Sequence, residues 1–171
     1  MKKYFQDYLF IGSISGLIVV LDQVTKAMIR SNLNFNQAWT PAAWLAPYAR
    51  IVHWKNTGAA FGIGQNLNVV FSILALVVVG GILFYFPRIP STDGYFRWAL
   101  SLQLGGALGN LIDRLRIGHV TDFISVGNFP VFNVADSCIT IGVGVLLLGL
   151  WLEERNQQPE SELEPEDEYA S

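Results

Sequence analysis

The chain has 171 residues, of which 51% are hydrophobic and only 15% are charged. A soluble domain of this size usually carries about 25% charged residues, so the composition is typical of a protein whose main solvent is lipid. The net charge is −3, and no run rich in Lys and Arg indicates a nucleic-acid partner. The single cysteine, Cys138, excludes an intrachain disulfide and is interpreted as a small buried apolar side chain.

Four apolar stretches are long enough to cross a bilayer as helices, which takes about 20 mostly apolar residues. They predict membrane helices over 8–30, 67–86, 95–112 and 134–152. The first stretch is followed by the charged segment DQVTK rather than by a small-residue cleavage site, so we interpret it as a retained helix and not as a secretory signal. The predicted fold is an all-α membrane protein with four transmembrane helices.

The loops between these helices predict the orientation of the chain. An even number of spans places both termini on one side, and Lys2 and Lys3 predict that this side is cytoplasmic. Residues 31–66 then form a small extracytoplasmic region between helices 1 and 2, with a short strand predicted at residues 51–54. Its aromatic side chains favour the headgroup zone, and we expect the region to act as a cover over the membrane end of the helices.

The end of the chain has a different composition from the rest. Residues 153–171 contain eight carboxylate side chains broken by two prolines, which is typical of a solvated and disordered segment. We therefore predict a single membrane-embedded domain over residues 1–152, followed by an acidic disordered cytoplasmic tail over residues 153–171.

Ionisable side chains near the bilayer are costly, so each of them is a functional hypothesis. Asp22 and Lys26 are four residues apart on the first helix, which favours an ion pair between them. At the end of the third span, three polar residues follow at helical spacing and project from one face if the helix continues: Asn110, Asp113 and Arg114.

Two further aspartates lie in the last third of the chain. Asn133 and Asp136 share a face at the start of the fourth span, and Asp122 lies in the apolar segment VTDFI. Two close carboxylates share one proton because both cannot ionise cheaply. The ionised member can then take a proton from a water that attacks a peptide carbonyl, while the protonated member donates to the carbonyl oxygen. Spacing alone leaves Asp113 and Asp122 open as the partner of Asp136.

Other constellations predict different functions with less support. His119, Asp122 and His53 together suggest a metal site, but no second histidine at helix spacing and no cysteine cluster accompanies them. Ser137 and Lys26 are the components of a Ser–Lys hydrolase. A small transporter or channel subunit would use the same polar residues to line an ion path, but the second span contains no charged residue. A lipid-transferring enzyme would need a phosphate-binding motif or a metal-binding run of carboxylates, and the sequence has neither.

Five sequence blocks, in this order, resemble lipoprotein signal peptidase, also called signal peptidase II. They are DQVTK (22–26), NTGAAFG (56–62), GGALGNLIDR (105–114), VTDFI (120–124) and FNVADS (132–137). A single block is a weak signal, whereas five in order are specific and reach most of the chain from residue 22 to about 140.

The resemblance implies an aspartic endopeptidase of the bacterial inner membrane, with both termini cytoplasmic and the active site at the outer face. Its substrates would be prolipoproteins that already carry diacylglyceryl on a cysteine, cut just before that cysteine. Membrane lipids and inhibitory cyclic peptides of the globomycin type would be further partners, and neither a cofactor nor a metal is expected. The family's two catalytic aspartates correspond to Asp122 and Asp136. Its supporting residues correspond to Asp22, Lys26, Asn56, Asn110, Asp113, Arg114 and Asn133.

Overall fold

The computed structural model describes residues 2–58 and 67–157. In chain order the elements are α1 (Lys2–Asn32), β1 (Ala38–Trp39), a 3-10 turn (Ala43–Leu45), β2 (Ala49–Asn56), α2 (Asn68–Tyr85), a 3-10 turn (Phe86–Arg88), α3 (Gly94–Ile117), β3 (Val120–Val126) and α4 (Val134–Gln157). Each of the four long helices contains most of a predicted span.

Three of the four predicted spans are long and apolar enough to cross a membrane. They are the segments Tyr4–Asn32, Asn68–Arg88 and Val134–Asn156. The segment predicted at 95–112 is also helical, within α3, but it carries more polar residues than the other three and is not among the helices apolar enough to cross a membrane. The difference has a structural reason, because α3 packs against α1, α2 and α4 and buries many of its side chains. The four-helix transmembrane count therefore stays a prediction.

Small residues on α3 allow its neighbours to approach closely. A Cβ atom on Gly105 would lie 2.7 Å from Cβ of Ile18 in α1, and one on Gly109 would lie 2.6 Å from Oδ2 of Asp22. Such faces let helix backbones pack in contact inside a membrane. The close approach brings the polar ends of α1, α3 and α4 together.

The ends of the helices away from the sheet are joined by a separate apolar cluster. Ile11, Phe86 and Leu104 are among its buried members. Beside it, Nη1 of Arg97 donates to Oδ1 of Asp7 at 2.8 Å, and the guanidinium lies over the ring of Phe86. Burial of a charged pair requires a close partner for each charge, and this pair ties α1 to α3.

The three strands form one antiparallel sheet in the order β1-β2-β3. The strand predicted at residues 51–54 is confirmed as part of β2. The prediction that the β-structure lies between helices 1 and 2 is incomplete, because β3 comes from the connection between α3 and α4. Trp54 pairs with Asp122 and Asn56 with Val120 across β2 and β3. Residues 120–126 are mostly buried, and their polar and apolar residues do not alternate, so the sequence pattern does not mark them as a strand.

Several predicted boundaries differ from the structure. Helix α3 continues past residue 112 to Ile117 and ends at Gly118, whose φ of 75° is the left-handed conformation that glycine adopts readily. Helix α4 continues past residue 152 to Gln157. Residues 158–171, which hold most of the acidic tail, and residues 59–66, which hold part of the NTGAAFG block and of the expected cover, lie outside the described residues. The predictions about them stay predictions.

Candidate active site

Asn133 lies at the start of α4 and joins the two aspartates that the sequence singled out. Its side-chain Nδ2 donates to Oδ1 of Asp122 at 2.7 Å. Its Oδ1 accepts the backbone N–H of Asp136 at 2.9 Å, and its own N–H donates to Oδ2 of Asp136 at 3.2 Å. These reciprocal bonds form a capping box at the start of the helix. One fully buried residue therefore contacts both carboxylates, that of Asp122 through its side-chain amide and that of Asp136 through its backbone N–H.

Asp122 is held in the centre of β3 with only 1% of its surface exposed. Oδ2 accepts a hydrogen bond from Nδ2 of Asn56 at 2.9 Å, while Oδ1 faces Asn133. Burial and the nearby charge of Asp136 raise the pKa of Asp122 to about 7, against the lowering effect of the two amide donors. Near neutral pH Asp122 is therefore protonated in part, whereas an isolated aspartate is almost fully ionised.

Asp136 lies in the first turn of α4, where the helix dipole favours a negative charge. Its Oδ1 accepts a hydrogen bond from Nδ2 of Asn110 at 2.7 Å. Together with the N–H of Asn133, this gives each carboxylate oxygen a donor. The donors hold the side chain in one orientation.

A cavity of about 460 Å³ lies beside the two aspartates. Asp136 lines it directly, and Asp122 adjoins it through Asn56. Its polar side is formed by Asn56, Asn110, Arg114 and Asp136, and its apolar side includes Val120, Phe129, Pro130, Val131, Phe132, Ile139 and Ile141. The cavity therefore combines a carboxylate wall with a surface suited to an apolar ligand.

Lys26 is the buried cation of the site, with none of its surface exposed. Its Nζ lies 2.9 Å from Oδ2 of Asp22, which confirms the predicted ion pair. The same Nζ donates to Oδ1 of Asn110 at 2.9 Å and lies 3.5 Å from Oδ2 of Asp113. Because Asn110 in turn donates to Asp136, the amide carries the orienting effect of Lys26 into the cavity wall.

Asp113 has a different environment from Asp122. Its carboxylate faces Lys26 and Arg30 of α1, and Oδ2 accepts the backbone N–H of Thr121 at 3.0 Å. It thus connects α1 to β3. Asp122, and not Asp113, shares Asn133 with Asp136. The choice between the two acids that the sequence left open stays a prediction.

Asp22 also has a structural partner outside its own helix. Its Oδ1 accepts the backbone N–H of Ala135, which fixes α1 against the first turn of α4. Sequence reasoning missed Gln23, whose Nε2 donates to the carbonyl oxygen of Gly109 at 3.0 Å, and Arg30, whose Nη1 donates to Oγ1 of Thr121 at 3.0 Å. Gln23 lies inside the DQVTK block, which was the available signal for it.

The competing constellations are not assembled in the described part of the chain. Nδ1 of His119 lies 2.8 Å from the carbonyl oxygen of Ile117, and Nδ1 of His53 lies 2.9 Å from that of Leu33. Within residues 2–58 and 67–157, no three His, Cys, Asp or Glu side chains are grouped as metal ligands would be. Ser137 donates its hydroxyl to the carbonyl oxygen of Asn133, whereas Lys26 is engaged by Asp22 and Asn110.

Comparison with known proteins shows to which family the chain belongs. The family model described as Signal peptidase (SPase) II matches residues 14–152. The chain belongs to the signal peptidase II family. The match includes every aspartate and asparagine of the network around the cavity.

Relatives and solved structures agree with this membership. The chain is 36% identical to the lipoprotein signal peptidase of Streptococcus agalactiae serotype V, over 86% of this chain and 96% of that protein. It is 41% identical to that of Brevibacillus brevis, over 82% and 93%. A solved structure described as a bacterial membrane enzyme matches with a TM-score of 0.80 at 30% identity, over 88% of this chain and 92% of the other. A second structure with that description has a TM-score of 0.73 at 32% identity, over 82% and 91%.

Membership of the signal peptidase II family, together with the apolar helices, makes this chain a multi-pass protein of the inner membrane and a protease that processes lipoproteins. The family predicted from five sequence blocks is therefore confirmed.

Proposed function

We propose that this chain is an aspartyl endopeptidase that removes the signal peptide from diacylglyceryl-modified prolipoproteins, cutting before the lipidated cysteine. Asp122 and Asp136 are its catalytic residues. The observation that carries the proposal is the bridge through Asn133, which holds two buried carboxylates beside one cavity. Membership of the family supports the proposed substrate class, and the two neighbouring carboxylates support the aspartyl mechanism.

The two acids divide the proton transfers between them. Asp122 starts protonated, as its raised pKa favours, and Asp136 starts ionised. The water oxygen attacks the peptide carbonyl carbon while its proton passes to Asp136 and the proton of Asp122 passes to the carbonyl oxygen. When the C–N bond breaks, Asp136 gives its proton to the leaving nitrogen and a hydroxyl proton of the intermediate returns to Asp122. The pair ends in its starting protonation state, and no covalent enzyme intermediate is formed.

The remaining predicted residues support this chemistry by holding the acids and the substrate. Asn56, Asn110 and Asn133 donate to the carboxylates, and Arg114 provides a cationic part of the cavity wall. Asp22, Lys26 and Asp113 form the buried charge network behind that wall. The lipid chains of the substrate stay in the bilayer while the scissile bond enters the cavity, which limits the orientational freedom lost in the reaction.

The position of the site supports the proposed orientation. The site is built from the C-terminal end of α1, the C-terminal end of α3 and the first turn of α4. Both α1 and α4 lead from this end of the bundle towards the chain termini. With the termini cytoplasmic, the site is at the outer face, where the lipid-modified part of the precursor is exposed. A cyclic peptide of the globomycin type would compete for the same cavity.

The proposed function is tested with the purified protein in phospholipid vesicles and two forms of one precursor, with and without diacylglyceryl on its cysteine. We expect cleavage of the modified form only, because lipid anchoring brings the scissile bond to the interface. Mass spectrometry should show a product that begins with the lipidated cysteine. Equal cleavage of both forms, or cleavage at another bond, would contradict the proposed substrate.

The activity should decrease as the pH rises through about 7. The pKa of Asp122 is raised to about 7, so Asp122 is protonated below that value and ionised above it. Since the first step needs its proton, kcat/KM measured in vesicles should fall about tenfold per pH unit on the alkaline side. Thermal unfolding at each pH controls for loss of folded protein. An activity that stays constant to pH 9 would show that the proton of Asp122 is not required.

A further inference from the structure

Arg114 is held at the cavity wall by contacts with the segment after β2 and with α2. Its Nη2 donates to the carbonyl oxygen of Gly58 at 3.4 Å, and its Cζ lies 5.6 Å from the ring centre of Phe71. The guanidinium is close enough to Asp136 and Asp122 to interact with their charges. A guanidinium has five N–H donors in a fixed plane, so its orientation decides which of them face an occupant of the cavity.

Asn68, the first residue of α2, contacts the backbone of the same arginine. Its side-chain Nδ2 donates to the backbone carbonyl oxygen of Arg114 at 3.4 Å. Its backbone carbonyl oxygen accepts the hydroxyl of Ser72 at 2.7 Å. The two residues also share a deficiency in hydrogen bonding. Among the described residues, the buried Oδ1 of Asn68 and the buried Nε of Arg114 have no hydrogen-bond partner.

One of these atoms is an acceptor and the other is a donor, and both are withdrawn from bulk water. Buried polar atoms are rarely left unpaired, and the two residues are already in contact. One water that donates to Oδ1 of Asn68 and accepts from Nε of Arg114 satisfies both atoms at once and keeps the contact between Nδ2 and the Arg114 carbonyl oxygen.

We propose that Asn68 is a positioning residue for Arg114. Through the bridging water between Oδ1 and Nε, it fixes the plane of the guanidinium and leaves the Nη donors for the carbonyl oxygens of a peptide in the cavity. The inference rests on the proposed peptidase function, since a peptide is the occupant that these donors would orient. Asn68 does not contact the reacting atoms, so its effect is transmitted through Arg114.

The test uses Asn68→Leu, which has a similar volume and no acceptor, and Asn68→Asp, which retains an acceptor and suits a helix N-terminus. We expect Asn68→Leu to raise KM about tenfold with a smaller change in kcat, because a buried hydrogen bond to a charged group is lost. Asn68→Asp should restore most of the affinity. Asn32→Leu is the matched control, because Asn32 is exposed at the end of α1 and donates to its own helix.

A double-variant comparison separates positioning from general stability. In an Arg114→Gln background, Asn68→Leu should have no further effect on KM. An equal effect in both backgrounds, or a similar loss with Asn68→Asp, would overturn the proposal.

A second readout does not depend on turnover. Modification of Arg114 by phenylglyoxal, located by peptide mass spectrometry, should be faster in Asn68→Leu than in wild type and in Asn32→Leu. If wild type cleaves no lipidated precursor, the peptidase proposal fails, and the modification rate still decides whether Asn68 holds Arg114. An unchanged rate would refute the positioning role.

Discussion

Replacing Asp136 or Asp122 with asparagine is expected to reduce cleavage of a lipid-modified precursor by about 10³-fold or more, since proton transfer by a positioned acid or base contributes about 10²–10⁴-fold. Asparagine preserves the size of the side chain but can neither accept a proton from water nor exchange one with the carbonyl oxygen. The measurement is single-turnover cleavage in vesicles, with insertion and folding of each variant checked by thermal unfolding.

The control for this prediction is Asp93→Asn, which makes the same change just before α3. It should retain wild-type cleavage, because Asp93 is at the opposite end of α3 from the cavity. Wild-type processing by either Asp122→Asn or Asp136→Asn would refute the assignment of the pair.

Asp113→Asn distinguishes the alternative acid from the proposed one. Asp113 contacts Lys26, Arg30 and the backbone of Thr121, so its replacement should lower the folded yield or substrate binding. A variant with normal yield and binding but no chemistry would move the catalytic role to Asp113.

Replacing Lys26 with methionine is expected to lower the free energy of unfolding by about 3–5 kcal/mol, the usual effect of removing one partner from a buried ion pair. Methionine retains the length and apolar stem of lysine but leaves Asp22 and Asp113 without their shared cation. It also removes the donor to Oδ1 of Asn110. Denaturant unfolding in detergent, followed by tryptophan fluorescence, measures the change.

Two further variants make this experiment specific. Lys55→Met removes a charge from an exposed position on β2 and should leave stability nearly unchanged. Asp22→Asn combined with Lys26→Met should recover part of the loss, since it removes the buried negative charge that Lys26 no longer neutralises. Wild-type stability in Lys26→Met would show that the buried network is not required for folding.

The spacing of residues along one helix was sufficient to predict the contacts between them. Asp22 and Lys26 pair as the i,i+4 rule predicts, and Asn133 meets Asp136 in a local capping box. Asn110 and Asp136 belong to different helices, and their hydrogen bond depends on how closely those helices pack. The Gly106 position on α3 faces Ala135 and Ile139 of α4 and permits that approach.

The sequence by itself determined the membrane class, the helix positions and the family, because the apolar length of a segment and the order of polar motifs are local properties. Only the tertiary structure decided that β3 pairs with β2, and so put Asp122 beside Asn56 and Asn133. Strand pairing and helix packing join residues that are far apart in the chain. Their contacts depend on how α1 and α4 pack against the small residues of α3, which no single segment specifies.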